Sequence, residues 1–103
     1  MALKWEFPGG KLEDGESPEE CLRREIKEEL LLDISVGRIF EVVSHNYDDR
    51  HILLLCYECF MKEGAKVEAV ECNDYRWTAK NELIKFDFAE ADLPIVERLL
   101  AEK

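Results

Sequence analysis

The sequence lacks the features that would place it in a membrane or on a nucleic-acid polymer. No apolar run approaches the roughly 20 residues that a membrane helix requires, and no secretory leader begins at Met1. Basic residues are scarce, with 14 Lys and Arg against 24 Asp and Glu, so the formal net charge is −10. Binding to a nucleic-acid backbone requires a basic face. We therefore expect a cytoplasmic protein that binds neither membranes nor nucleic-acid polymers directly.

Cysteine pairs at zinc spacing are also lacking. The segment Cys56-Tyr57-Glu58-Cys59 lies in an apolar, strand-like run, and no second pair accompanies it. Because free cysteine packs as a small hydrophobe, we expect reduced, buried thiols at all four cysteines. No serine or cysteine lies beside a histidine in a recognisable arrangement, which argues against a covalent nucleophile. The cysteines are Cys21, Cys56, Cys59 and Cys72.

One small domain, residues 1–103, is expected, because the chain has no repeats, low-complexity tracts or obvious linker. A helix is predicted to begin at Ser17. The segment Ser17-Pro18-Glu19-Glu20 combines an N-cap, a proline at the first helical position and a capping-box glutamate. The helix should extend to about Leu31, because Leu22, Ile26 and Leu30 share one face.

Strands are predicted over residues 36–44 and 50–61, with a turn over 46–49. Residues 52–60 are apolar almost throughout, which predicts a central strand covered on both faces. Short extended segments are predicted at 5–7 and 75–78. A final amphipathic helix carries Ile95, Val96, Leu99 and Leu100. The pattern indicates an α/β (α+β) fold with a mixed sheet.

The first predicted helix carries three glutamates on one face. Glu25, Glu28 and Glu29 stand at i, i+3 and i+4, so their charges repel unless a cation binds them. Oxygen ligands that converge in this way are what Mg²⁺ prefers. A solvated acidic face is the alternative. The preceding segment Pro8-Gly9-Gly10-Lys11 favours the metal site, because its backbone can approach a ligand closely and its carbonyls can complete a metal site.

The spacing Gly10, five residues, Glu16, seven residues, then residues 24–29 as Arg-Glu-Ile-Lys-Glu-Glu, resembles the box of the Nudix family. Every fixed position matches except the second glycine, which falls on Leu31. The similarity continues outside the box with the MutT-like branch, through residues 5–11, 49–52, Trp77 and 88–99. It implies an α/β/α sandwich and metal-dependent hydrolysis of nucleoside diphosphate-linked compounds. A nucleoside triphosphate is the expected substrate, with a nucleoside monophosphate and pyrophosphate as products.

The resemblance also implies a role for each matching residue. Arg24 would orient Glu25, which would act as general base or metal ligand. The Gly9 carbonyl would join the three box glutamates in holding Mg²⁺ or Mn²⁺, with Glu16 reaching the metal through water. Catalysis would thus involve Arg24, Glu25, Glu28 and Glu29, and substrate binding would involve Phe7, Lys11, Arg50 and Asp92.

Two questions about individual residues stay open at this stage. A loop carboxylate that acts as metal ligand or base in some relatives could be Glu71 or Asp74, and the sequence does not choose between them. Asp92 would line a nucleobase pocket, or it would merely cap the last helix ahead of Pro94.

Nudix relatives carry a hairpin before the segment that corresponds to residues 5–7. Without it, we expect either an N-terminally truncated product or a homodimer whose strand edges pair. Leu31 is the second departure, because glycine best tolerates the left-handed turn that ends a helix. The alternative functions are hydrolysis of ADP-ribose or a dinucleoside polyphosphate, and a catalytically idle module for nucleotide binding or assembly.

Overall fold

The computed structural model describes residues 4–66 and 77–102. Helix α1 is followed by a two-stranded β-hairpin, two short 3₁₀ helices and helix α2, which confirms the α/β class. In chain order the elements are α1 (Pro18–Leu30), β1 (Ile34–Tyr47), β2 (Arg50–Met61), 3₁₀ helices over Lys80–Lys85 and Glu90–Asp92, and α2 (Leu93–Ala101). Neither α1 nor α2, the described α-helices, has the length and apolarity to cross a membrane.

Helix α1 begins where the sequence predicts. The Ser17 hydroxyl accepts a hydrogen bond from the Glu20 backbone N–H at 3.1 Å, and the Ser17 N–H donates to the Glu20 carboxylate at 3.0 Å. This reciprocal capping box satisfies two N–H groups that would otherwise lack a helical partner. Cys21 and Ile26 are the buried side chains of α1.

Strands β1 and β2 form an antiparallel hairpin that is longer than predicted at its first strand. Only Asp48 and Asp49 form the turn, so β1 extends through His45, Asn46 and Tyr47. Short aspartate-containing turns of this kind suit a hairpin, because the aspartate side chain supports a tight backbone reversal.

The prediction that residues 52–60 form a strand covered on both faces is wrong. No residue of β2 is buried, and Leu53 and Phe60 are each 62% exposed. Among the described residues, β2 pairs with β1 alone. An apolar sequence indicates that a strand can be buried on both faces. Whether it is buried depends on the other elements that pack against it.

Contacts divide the described residues into two units. The first contains residues 4–7, 40–56 and 77–102, and its core consists of Leu83, Phe88 and Val96. Trp5 forms a parallel bridge with Phe88: its N–H donates to the Asp87 carbonyl at 2.8 Å, and its carbonyl accepts from Ala89 at 2.9 Å. The predicted aromatic strand at residues 5–7 is therefore reduced to one bridge. The side chains packed against this core are Trp5, Phe7, Phe86 and Leu99.

The C-terminal part of the first unit agrees with the predicted helix. Ile95 and Val96 are buried on α2, whereas Leu100 is exposed. The predicted extended segment 75–78 lies partly outside the described residues, and Trp77 and Thr78 are not in a strand.

The second unit contains residues 8–39 and 57–66, and thus the glycine segment and α1. Arg38 on β1 forms an ion pair with Glu58 on β2 at 2.5 Å. The expectation of buried thiols holds for Cys21 alone among the described cysteines. Cys56 is half-buried and Cys59 is exposed, whereas Cys72 lies outside the described residues.

Candidate metal and nucleotide site

Arg24 lies among the acidic side chains of the second unit. Its Nε and Nη2 donate to the two carboxylate oxygens of Glu16, at 2.8 and 3.0 Å. Its Nη1 donates to Glu25 at 2.9 Å and to Glu28 at 3.3 Å. A planar guanidinium suits this two-pronged contact with a carboxylate. The structure therefore brings together Glu16, Arg24, Glu25 and Glu28, four residues that the sequence predicted to act together.

These contacts shift the pKa values of Glu16 and Arg24. The hydrogen bond from Arg24, with one from the Glu13 backbone, lowers the pKa of Glu16 to about 2. The pKa of Arg24 is raised, chiefly by its hydrogen bond to Glu16. Glu16 is consequently an anion and Arg24 a cation throughout the neutral range.

The glycine segment contacts α1 directly. A Cβ on Gly10 would lie 2.2 Å from the Glu25 carboxyl carbon, a separation that real Cβ atoms do not show. The Lys11 carbonyl accepts a hydrogen bond from Arg24 Nη2 at 3.2 Å, and the Cys21 thiol lies 3.8 Å from the Gly10 carbonyl. The first glycine of the box thus allows the Glu25 carboxylate to lie against the backbone, because a side chain at position 10 would displace it.

The chemistry of this donor set fits a hard divalent cation. Carboxylates and backbone carbonyls are the ligands that Mg²⁺ binds. Within residues 4–66 and 77–102, however, no three Asp, Glu, His or Cys side chains converge in a metal-binding arrangement. Glu16, Glu25 and Glu28 are instead directed to the guanidinium. The ligand roles of Gly9, Glu25, Glu28 and Glu29 therefore stay predictions, as does the water-mediated role of Glu16.

Leu31 occupies the position where the Nudix box has its second glycine. It caps α1 with φ 50° and ψ 37°, which is the left-handed helical conformation, and its N–H donates to the Lys27 carbonyl at 3.0 Å. For a side-chain-bearing residue this conformation costs about 1–2 kcal/mol. Leu31 thus adopts the left-handed turn that glycine adopts at the lowest conformational cost.

Asp92 is the buried charged residue of the first unit. It is 7% exposed, and burial raises the pKa of its carboxyl to about 6. Although Asp92 precedes α2, its side chain makes no capping hydrogen bond. The carboxylate instead accepts from the backbone N–H of Phe7, whose ring stacks on Phe88 at 5.2 Å. Asp92 is thus the N-cap residue of α2 by position, but its side chain does not cap the helix. Phe7 and Asp92 are neighbours, as a shared role in base binding requires.

The remaining predicted residues are not brought together. The Arg50 guanidinium lies over the Tyr47 ring at 5.6 Å, and the Lys11 side chain is exposed. Their substrate-binding roles stay predictions. Glu71 and Asp74 lie outside the described residues.

One arrangement in the hairpin was missed by the sequence analysis. The Ser44 hydroxyl lies 2.6 Å from His51 Nε2, and His51 Nδ1 contacts Asn46 Oδ1. The expectation that no serine lies beside a histidine is therefore wrong. These residues are seven and five positions apart, and only strand pairing makes them neighbours.

Comparison with known proteins agrees with this geometry. The NUDIX domain model matches residues 2–99. The chain is 52% identical to an 8-oxo-dGTP diphosphatase from Proteus vulgaris over 50 residues, which are 48% of this chain and 45% of that protein. It is 35% identical to the 8-oxo-dGTP diphosphatase of Escherichia coli over 99 residues, covering 96% of this chain and 76% of that relative.

A solved structure gives the same result for the fold. The solution structure of the E. coli ORF135 protein superposes with a TM-score of 0.80 at 30% identity, covering 94% of this chain and 69% of that one. The chain therefore belongs to the Nudix family, on its MutT-like branch of hydrolases.

Proposed function

We propose that this chain hydrolyses a nucleoside triphosphate to a nucleoside monophosphate and pyrophosphate, with Mg²⁺ or Mn²⁺ as cofactor. The observation that carries the proposal is the carboxylate set around Arg24, joined to a glycine whose backbone lies against Glu25. The net charge of −10 makes a cation necessary where an anionic triphosphate is to bind.

The metal would be held by residues of the second unit. Glu25, Glu28 and Glu29 with the Gly9 carbonyl are the proposed ligands, and Glu16 would bind through water. A bound divalent ion neutralises diphosphate charge and lowers the pKa of a coordinated water. Arg24 contacts one carboxylate oxygen of Glu25 and one of Glu28, so each keeps a second oxygen for a metal, whereas both oxygens of Glu16 contact Arg24.

Glu25 is the proposed general base or metal ligand of the reaction. Its contact with Arg24 at 2.9 Å and the adjacent Gly10 backbone restrict its carboxylate to few positions. As a base it would take a proton from the attacking water, a contribution of typically 10²–10⁴ in rate. Arg24 acts through Glu25 and is a positioning residue.

Nucleobase binding is assigned to Phe7 and Asp92. The Phe7 ring offers an apolar face, and a carboxyl group with a pKa of about 6 can accept from an exocyclic amino group or donate when protonated. These properties suit an oxidised purine or a pyrimidine base. Lys11 and Arg50 are proposed to bind the phosphates because both side chains are positively charged. Glu71 or Asp74 is proposed as an additional metal ligand.

A nucleotide panel tests the proposal. Pyrophosphate release should appear with a nucleoside triphosphate and Mg²⁺, and should stop on chelation. Glu25→Gln should lower turnover by about 10²-fold or more, whereas Glu97→Gln on the exposed side of α2 should leave it unchanged. If ADP-ribose or a dinucleoside polyphosphate is hydrolysed faster than the nucleoside triphosphates, that class of compound is the substrate instead. Inertness toward every nucleotide, with Mn²⁺ still bound, would favour a nucleotide-binding or assembly module.

We further propose that two copies pair through the edge of β2. In the described residues β2 has one neighbour, β1, and Leu53 and Phe60 are largely exposed. An edge of this kind offers unpaired backbone groups to a second strand.

A further inference from the structure

Ser44, Asn46 and His51 form a hydrogen-bonded chain on the hairpin of the first unit. Ser44 Oγ is 2.6 Å from His51 Nε2, which is within hydrogen-bonding distance. The other ring nitrogen of His51 contacts the side-chain oxygen of Asn46. A hydroxyl, an imidazole and an acceptor in this order are the parts of an activated nucleophile.

The contacts assign the tautomer of His51. Because the Asn46 carbonyl oxygen only accepts hydrogen bonds, His51 Nδ1 must carry the proton. In the neutral imidazole Nε2 then presents a lone pair, so the Ser44 hydroxyl donates to it. This tautomer is the one in which an imidazole can take a proton from a serine.

All three side chains lie on one exposed face of the hairpin. Residues 42, 44 and 46 alternate along β1, as 51, 53 and 55 do along β2, and the two hydrogen bonds place both rows on the same face. Val42, Leu53 and Leu55 are therefore neighbours of the polar chain, and each is exposed. The face, which we call the Ser44 face, combines a nucleophile arrangement with an apolar surface.

We propose that the Ser44 face is a second hydrolytic site, for activated esters of short apolar carboxylic acids. Ser44 Oγ attacks the ester carbonyl carbon while its proton moves to His51 Nε2. The bond from that carbon to the leaving oxygen then breaks, and His51 returns the proton to that oxygen. Water repeats the sequence on the acyl-serine, releasing the carboxylic acid and restoring the Ser44 hydroxyl.

The surroundings favour a neutral ester over a phosphate ester. The protein carries a net charge of −10, which repels an anion from a face that holds no lysine or arginine at positions 42, 44, 46, 51, 53 and 55. The exposed Leu53 and Val42 side chains offer an apolar acyl group a surface to contact. Because the face is open to water, we expect slow turnover of good leaving groups rather than efficient catalysis.

The test uses p-nitrophenyl butyrate and purified full-length protein in the presence of a chelator. Chelation removes metal-dependent nucleotide hydrolysis, so the two activities are measured independently. We expect nitrophenolate release that is at least about tenfold slower in Ser44→Ala and in His51→Gln. Mass spectrometry of rapidly quenched samples should find one butyryl group on the peptide that contains Ser44.

Asn46 is assigned a positioning role, and the pH profile tests it. Asn46→Ala should slow release, because the imidazole loses the acceptor that fixes its tautomer. Asn46→Asp should restore the rate and shift the pH profile upward, because a carboxylate stabilises the imidazolium form of His51. A merely structural asparagine would not produce this shift.

Two matched controls complete the design. Ser35→Ala alters an exposed serine of β1 outside the Ser44 face, and His45→Gln alters the histidine that contacts Glu90. Both should leave the rate unchanged. A rate that persists in Ser44→Ala, or a butyryl group found on His51 or a lysine, overturns the proposal.

Discussion

The backbone of Gly10 lies so close to the Glu25 carboxylate that no side chain fits between them. A Cβ at position 10 would stand 2.2 Å from the Glu25 carboxyl carbon and about as close to both of its oxygens, 2.5 and 2.6 Å. Gly10→Ala should therefore displace Glu25 from Arg24. Because the displaced atoms are the flexible end of the Glu25 side chain, we expect a change of less than about 1 kcal/mol in the free energy of unfolding, but a large loss of pyrophosphate release.

Gly15→Ala is the matched control for this substitution. Gly15 has φ 78° but no atom within 4 Å of an added Cβ, so alanine there strains the backbone without moving Glu25. Urea unfolding and nucleotide turnover should separate the two variants. Equal turnover in both would show that the Gly10 contact has no catalytic role.

Glu28 should contribute to metal binding although its carboxylate contacts Arg24 at 3.3 Å. We expect Glu28→Gln to weaken Mn²⁺ binding, because an amide oxygen supplies less charge to a hard cation. Titration followed by electron paramagnetic resonance measures this affinity. Glu97→Gln serves as the control, and an unchanged affinity in Glu28→Gln would mean that the acidic face is solvated surface.

Leu31→Gly should stabilise the protein. Glycine relieves the left-handed conformation, which costs leucine about 1–2 kcal/mol, but it loses some backbone entropy on folding, about 0.5–1 kcal/mol. Little packing is lost because Leu31 is 46% exposed. We expect a net gain of about 0.5–1 kcal/mol in urea unfolding. A decrease would show that the leucine side chain contributes more by packing than its conformation costs.

Asp92 should make stability depend on pH in the acid range. Its pKa is raised from 3.8 to about 6 on folding. Well below pH 3.8 the carboxyl is protonated in both states, whereas between pH 3.8 and about 6 it is ionised in the unfolded chain but still protonated in the folded protein. The stability that Asp92 gives at low pH is thus lost as pH rises to about 6, and it is constant above that.

Asp92→Asn should remove this dependence, because asparagine keeps the shape without the charge. The difference in unfolding free energy between the variant and the wild type should grow from pH 4 to 6 by about 2 kcal/mol. Urea unfolding across this range measures it. Asp14→Asn in the exposed turn is the control, and parallel curves for wild type and Asp92→Asn would contradict the raised pKa.

Pairing of two copies through β2 has two measurable consequences. Light scattering should report a dimer, and hydrogen exchange of the β2 amides should slow as protein concentration rises. Exchange of the α2 amides serves as the internal reference. A monomer with exchange independent of concentration would exclude edge pairing.

Local signals in the sequence predicted the parts of the structure that depend on nearby residues. The capping box at Ser17 fixed the start of α1, and the left-handed turn occurs at Leu31, where the missing glycine was expected to matter. Residues three and four apart on a helix are neighbours by geometry, so the grouping of Glu25 with Glu28 was also predictable.

Relationships that depend on distant residues were not predictable in the same way. The exposure of Leu53 depends on which element covers β2, and the contact of Ser44 with His51 depends on the register of the hairpin. A shift of one residue in that register would place the two side chains on opposite faces. The interaction of Asp92 with Phe7 likewise joins residues far apart in the chain.

Arg24 gives the acidic helix face an internal counter-ion. Its guanidinium lies within 3.5 Å of Glu13, Glu16, Glu25 and Glu28, so the repulsion that these carboxylates would exert on one another is already offset within the chain. The fold consequently does not depend on a divalent ion to hold its carboxylates together, in contrast to small domains that fold only around a metal. A divalent ion at the remaining oxygens of Glu25 and Glu28 would share these carboxylates with the guanidinium, and the repulsion between the two cations would lower its affinity.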